Sequence, residues 1–187
     1  MSRLPELDRA TLTDAQRGVL ESIESGPRGA MGLVGPFGVY VRVPGVGQAA
    51  QNLGAAVRFN TELAENVKEV AICTVGAFYK SKFEFAAHAS LAAKAGVAQD
   101  IIDAIHNGEP PAFKDDAERL AYEVTGELLS NHRLSDSTYT RALQCLGETP
   151  LVELVLTVGY YTTVSFTLNA FQIPLREGMT DPFPDVE

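Results

Sequence analysis

The chain has 187 residues, a length that suits one domain, and 45% of them are hydrophobic. It can therefore build a core without disulfide or metal staples, which excludes a disordered tail protein and a stapled mini-domain. Fifteen Lys and Arg against 24 Asp and Glu leave a net charge of −9, which argues against a phosphate-backbone binder but leaves room for a local anion pocket.

Cys73 and Cys145 are the two cysteines, and neither belongs to a Cys-x-x-Cys or sits beside a His-x-x-x-His pair. Neither a disulfide framework nor a structural zinc site is expected, and no metal or cofactor is called for. A reducing cytoplasm is the expected compartment. The first residues lack the basic-then-apolar layout of a signal peptide, and the apolar runs are broken by Lys, Glu or Thr. No membrane-spanning segment and no membrane or nucleic-acid partner is expected.

Strand-type alternation is nearly absent, and helix punctuation recurs throughout. Thr13-Asp14-Ala15-Gln16 reads as a capping box that opens a helix running to about Ser25. Residues 26–38 hold five glycines and two prolines, with Met31, Leu33, Val34 and Phe37 interleaved, and predict a packed functional loop. After Pro44-Gly45, a helix is predicted from Gln48 to about Phe59. Thr61 is placed to cap a helix carrying Leu63, Val67, Val70, Ala71 and Val75.

A further helix runs from about Lys82 to Ala95 and stops at Gly96. Short and medium helices follow over about Ala98–His106, Asp115–Ser130 and Asp136–Leu146, the last capped by Ser135. Thr149-Pro150 opens a long apolar helix to about Phe171, which should be buried in the core or between chains. The segment from Arg176 to Glu187 is polar and proline-broken, and reads as a draped or disordered tail beyond a domain of residues 1–175.

The fold class is all-α, with seven or eight helices. Thr74-Val75-Gly76-Ala77-Phe78-Tyr79 echoes Thr157-Val158-Gly159-Tyr160-Tyr161-Thr162, a possible internal repeat of two helical hairpins.

Glu84 and His88 are four apart and share one helix face. A carboxylate and an imidazole held together in apolar surroundings can pass a proton, because each tunes the other's basicity. Spacing alone favours an exposed pair contributing a few tenths of a kcal/mol. Glu69 lies fifteen residues before Glu84, about 22 Å along a straight helix. A chain reversal between about Ala77 and Lys82 brings Glu69 to face His88 instead, within roughly 5 to 6 Å through one water. Ser81 then stands at the first turn of the second helix, placed to cap it and, beside that turn's free N–H groups, to meet a substrate anion.

The run of Glu69, Ser81, Glu84 and His88, followed by Leu91-Ala92, Lys94-Ala95-Gly96, resembles the carboxymuconolactone decarboxylase and alkyl hydroperoxidase D superfamily. Asn131 to Asp136 is similar to that family's loop before a late helix, and Leu151–Val155 with Leu168–Phe171 to its last helix. Gly26–Gly29 with Gly35–Phe37 resembles the entry loop of its longer decarboxylase-like members. The likeness covers about Leu4 to Leu175. The hydroperoxidase branch uses a Cys-x-x-Cys pair, whose positions correspond here to Ser81 and Glu84. Neither residue can form a sulfenic acid or a disulfide.

The resemblance therefore implies acid–base chemistry, as in the decarboxylase branch. His88 is the expected general acid/base, with Glu84 orienting it or sharing its proton and Glu69 as a second carboxylate of the relay. The implied substrate is a small anionic organic acid. Arg28, Arg42, Arg58, Lys80 and Lys82 are candidate cations. Arg28 and Arg42 lead because they flank the glycine-rich loop, and Arg suits bidentate carboxylate binding. Phe37 and Tyr40 are expected as a cavity wall. Cys73, one turn after Glu69, can reach the pocket as a lone thiol, though free cysteine usually packs as a small hydrophobe. Two alternatives remain open: a peroxidase acting through Cys73 alone, and a non-catalytic small-ligand binder. The family's members self-associate, so a dimer, trimer or hexamer is expected.

Overall fold

A computed structural model describes residues 2–186 of the chain. Those residues form nine α-helices and one 3-10 turn (Arg9–Thr11), with no strand. The helices are α1 (Asp14–Glu24), α2 (Phe37–Tyr40), α3 (Pro44–Phe59), α4 (Glu65–Phe78), α5 (Lys82–Lys94), α6 (Gln99–Asn107), α7 (Asp116–Asn131), α8 (Asp136–Leu146) and α9 (Glu148–Ala170).

Local chemistry sets most of the boundaries. The Thr13 side chain accepts from Gln16 N and the Gln16 side chain from Thr13 N, so the capping box opens α1 as the sequence predicts. The Asp115 and Ser135 side chains cap α7 and α8, accepting from first-turn N–H groups without the reciprocal bond of a capping box. Pro44 occupies the first turn of α3 and starts that helix earlier than Gln48. Thr61 does not cap α4. The helix starts at Glu65, and Glu153 Oε2 on α9 instead accepts from the N–H groups of Glu62 and Leu63, at 2.9 and 3.0 Å.

The centre of the bundle is α4. Eleven consecutive residues of it, Val67 to Ala77, are buried, and it packs against α5, α6, α7 and α9. The long apolar helix, expected to be buried in the core or between chains, is α9; within the chain it is buried on one side, and Val152, Leu156 and Phe166 are exposed on the other. An 18-residue window of α9 has mean hydropathy 1.4 and passes the length and composition test for a membrane span, contrary to the expectation from broken runs. Half of that window is buried here, against α3, α4, α5, α7 and α8, which accounts for its apolar character.

The echo falls on α4 and α9, but its two copies differ. At Gly76 an added Cβ would stand 3.2 Å from Phe85 N, so α4 and α5 touch backbone to backbone. At Gly159 nothing lies within 4 Å, and α9 runs straight on.

A smaller N-terminal cluster of Leu12, Val19, Leu20, Ile23, Phe37, Tyr40 and Val41 sits beside the main core. The C-terminal segment is draped over the body and anchored at a few points. Phe183 is buried against Phe85 and stacks on His106, and Lys82 pairs with Asp181 at 2.8 Å. Residues 176–186 are thus held against the folded body at Asp181 and Phe183.

Candidate active site

The chain reverses at Tyr79, Lys80 and Ser81, with Lys80 in the left-handed region at φ 50°. Ser81 N donates to Gly76 O at 2.8 Å and Ser81 O accepts from Phe85 N at 2.9 Å, which closes the turn. The Ser81 hydroxyl makes no cap: it is buried without a partner and lies off the cavity wall. The reversal lays α5 along α4 and carries His88 back to Glu69.

Glu69 Oε2 lies 2.7 Å from His88 Nδ1 in a direct hydrogen bond, closer than the water-bridged approach anticipated. On the other side of the ring, His88 Nε2 is 3.1 Å from Glu84 Oε1, an ion-pair contact outside hydrogen-bond alignment that leaves Oε1 without a bonding partner. Arg58 Nη2 sits 3.0 Å from Glu69 Oε1, and its Nη1 is 2.5 Å from Glu65. Lys68, buried on α4, pairs with Glu65 at 2.8 Å.

Glu69, Glu84, His88 and Arg58 thus form a compact, largely buried cluster of two acidic and two basic side chains. Burial works to lower the His88 pKa, but the Glu84 and Glu69 carboxylates outweigh it and hold the value up at about 9. His88 is therefore an imidazolium at neutral pH. The Tyr161 ring meets it edge to face at 5.0 Å.

This cluster forms one wall of a cavity of about 810 Å³ between the main core and the N-terminal cluster. His88 and Glu84 line the cavity, and Glu69 lies behind them. Phe37, Phe59, Phe83, Tyr160 and Tyr161 supply aromatic surface. Besides His88, four basic side chains line it, Arg28, Arg58, Lys94 and Arg176, against the single carboxylate Glu84. In a chain of net charge −9, that is a local reversal of sign.

The glycine-rich loop reaches the cavity through Pro27, Arg28, Met31, Pro36 and Phe37. Gly35 has φ 60°, and a Cβ there would stand 2.8 Å from the Phe83 ring, so only glycine lets the loop close down on α5.

The other candidates fall elsewhere. Arg42 binds the Pro5 carbonyl and does not line the cavity. Sequence proximity to the loop did not determine which way its side chain points. Tyr40 lies behind the wall, its buried hydroxyl beside Tyr160 and pushed up by burial. Cys73 is 1% exposed and off the wall; burial first, then Glu69 and Glu84, push its thiol well up. Lys80 lies over the Phe183 ring, and Lys82 is held by Asp181.

Three residues that sequence reasoning left out or ranked low matter here: Arg58, which holds Glu69; Tyr161, which packs on His88; and Arg176. Tyr161 was visible only as part of the echo. Among the described residues, no group of three His, Cys, Asp or Glu side chains is arranged to hold a metal ion. A second cavity of about 650 Å³, among α4, α6, α7 and α8, is lined by one of the candidate cations, Lys80, and by none of the predicted catalytic residues.

No protein-family model matches the chain, and no curated protein matches it. Solved structures do. The debrominase Bmp8, in its apo form, aligns over 91% of this chain and 90% of its own with a TM-score of 0.70 and 13% identity. ATU0492 of Agrobacterium tumefaciens is a protein of unknown function, suggested to be the antioxidant defence protein AhpD. It aligns over 72% of this chain and 93% of its own with a TM-score of 0.62 and 12% identity. The chain has the all-helical alkyl hydroperoxidase D-like fold.

Proposed function

We propose that the chain is a cofactor-free lyase of the carboxymuconolactone decarboxylase type, acting on a small unsaturated carboxylic or lactone acid. The observation that supports this best is His88, set between two carboxylates on the wall of a cavity rich in cations. Glu69, fixed by Arg58, orients the ring through Nδ1. The Nε2 proton faces the cavity side beside Glu84.

In the proposed reaction the bond from carbon to the carboxylate breaks and CO2 leaves. The substrate's conjugated carbonyl takes the electron pair, so the reaction needs no electron-accepting cofactor. Nε2–H protonates the resulting carbanion on carbon, and solvent returns the proton to His88 with Glu84 as its neighbour. A positioned acid of this kind contributes roughly 10² to 10⁴-fold in rate. Aromatic surface beside His88 lowers the local polarity of the cavity wall and strengthens the charge interactions there.

The lone-thiol peroxidase reading has less support. A thiolate is the attacking species, and Cys73 sits buried off the cavity with its thiol pushed up. A ligand-binding role would leave the charged, doubly flanked imidazole without a use. A screen of lactone acids and unsaturated acids for CO2 release tests the proposal. The expected result is release by the wild type and loss of at least a hundredfold in His88→Ala. Equal release by the variant contradicts it. We further propose a cytoplasmic, self-associating protein, with the exposed apolar side of α9 as the contact surface.

A further inference from the structure

We infer that Arg176, carried by the C-terminal segment, is the residue that binds the substrate's carboxylate in the cavity described above. The inference rests on reading that cavity as the site of an organic acid, and it identifies which cation holds the acid.

A guanidinium has five N–H donors and no acceptor. At Arg176 they are almost unused. Nη2 meets only the Met31 thioether at 3.5 Å, a weak acceptor, and Nε is buried without a partner. The group lies over the Phe83 ring at 5.5 Å, and among the described residues it pairs with no carboxylate. Nε and Nη2 form the side-on edge of the guanidinium, whose spacing matches the two oxygens of a carboxylate. A carboxylate that displaces the Met31 sulfur would accept from both.

The other cations of the cavity are committed or exposed. Arg58 is held by Glu65 and Glu69. Arg28 reaches Gln51 and lies over Phe37 and Phe59. Lys94 is exposed.

The position of Arg176 is built, too. Five residues on, Asp181 pairs with Lys82 at 2.8 Å. His106 Nε2–H donates to Pro182 O at 2.7 Å, and Phe183 stacks on the His106 ring. These anchors lie outside the His88 cluster and fix the segment that presents the guanidinium. A carboxylate and a phosphate share this recognition chemistry; the planar two-donor edge and the aromatic surroundings favour the carboxylate.

Isothermal titration with benzoate, its neutral isostere benzamide, and inorganic phosphate tests the assignment without any turnover. Wild type is expected to bind one benzoate per chain saturably, to bind benzamide at least tenfold more weakly, and to bind phosphate more weakly than benzoate. Arg176→Gln, with its fold checked by circular dichroism, should bind benzoate roughly tenfold to a hundredfold more weakly. Arg176→Lys keeps the charge without the planar edge and should lose several-fold; it carries the comparison if the Gln variant does not fold.

No saturable benzoate binding, equal affinity in the variants and wild type, equal affinity for benzamide, or tighter binding of phosphate overturns the inference. Benzoate binding through Arg176 in a protein that releases CO2 from no acid would sustain this assignment and sink the decarboxylase reading.

Discussion

Glu69 and His88 are 19 positions apart in the chain, yet Glu69 Oε2 and His88 Nδ1 stand 2.7 Å apart at the interface of α4 and α5. The contact depends on the reversal at Tyr79–Ser81 and on the close approach of the two helices at Gly76. It also ties stability to the protonation of one buried ring.

That tie gives a pH dependence. His88 has an ordinary pKa of 6.5 and a folded value of about 9. A group whose pKa rises on folding stabilises the native state fully below its unfolded pKa. That stabilisation disappears as pH rises through the folded value. The shift corresponds to about 3 kcal/mol. Urea unfolding of the wild type should show stability falling between pH 6.5 and 9, and His88→Gln should flatten that decline. Parallel slopes in the two proteins would contradict it.

Gly76→Ala tests the close approach. Alanine contributes about 1 kcal/mol of helix propensity over glycine. Its Cβ would stand 3.2 and 3.3 Å from the Phe85 N and Cα, backbone atoms that yield only if α5 moves. Overpacking of this kind costs about 1 to 3 kcal/mol, so a net loss is expected. Gly126→Ala on α7, with nothing within 4 Å of the added Cβ, should be neutral or stabilising. Thermal melts of the pair check the contrast.

The two thiols should behave differently. Cys145 is exposed, and Cys73 is buried with its thiol pushed up. An aromatic disulfide reagent should titrate one thiol per native chain rapidly and the second only after unfolding. Two rapid thiols would return Cys73 to the list of reactive groups.

The exposed side of α9 predicts self-association. Val152, Val155, Leu156 and Phe166 lie along it, and Phe166 meets Tyr79 edge to face at 4.8 Å. Light scattering at micromolar concentration should give a multiple of the chain mass, and Leu156→Lys with Phe166→Glu should reduce it. A monomeric wild type would refute the prediction.

Much of this fold is written locally. The capping box at Thr13, the caps at Asp115 and Ser135 and the stop at Gly96 mark helix ends within reach of sequence reasoning. The Glu84–His88 spacing and the breakable stretch around Tyr79–Ser81 made the hairpin legible. What the sequence did not show is which way long side chains point. Arg42 flanks the loop but turns to the Pro5 carbonyl, whereas Arg58 reaches Glu69 from another helix. Arg176 sits in a segment with no periodicity, so only the tertiary anchoring of Phe183 and Asp181 reveals that it belongs to the cavity.

The central claim is that His88 is held charged between Glu69 and Glu84, poised to deliver a proton into the cavity. Nitrogen-detected NMR of the His88 ring across pH 5 to 10.5 measures this directly. The account predicts both ring nitrogens protonated at pH 7, a titration near pH 9, and a lower midpoint in Glu69→Gln and in Glu84→Gln. A neutral ring at pH 7, or a midpoint near 6.5 that neither substitution moves, would contradict it.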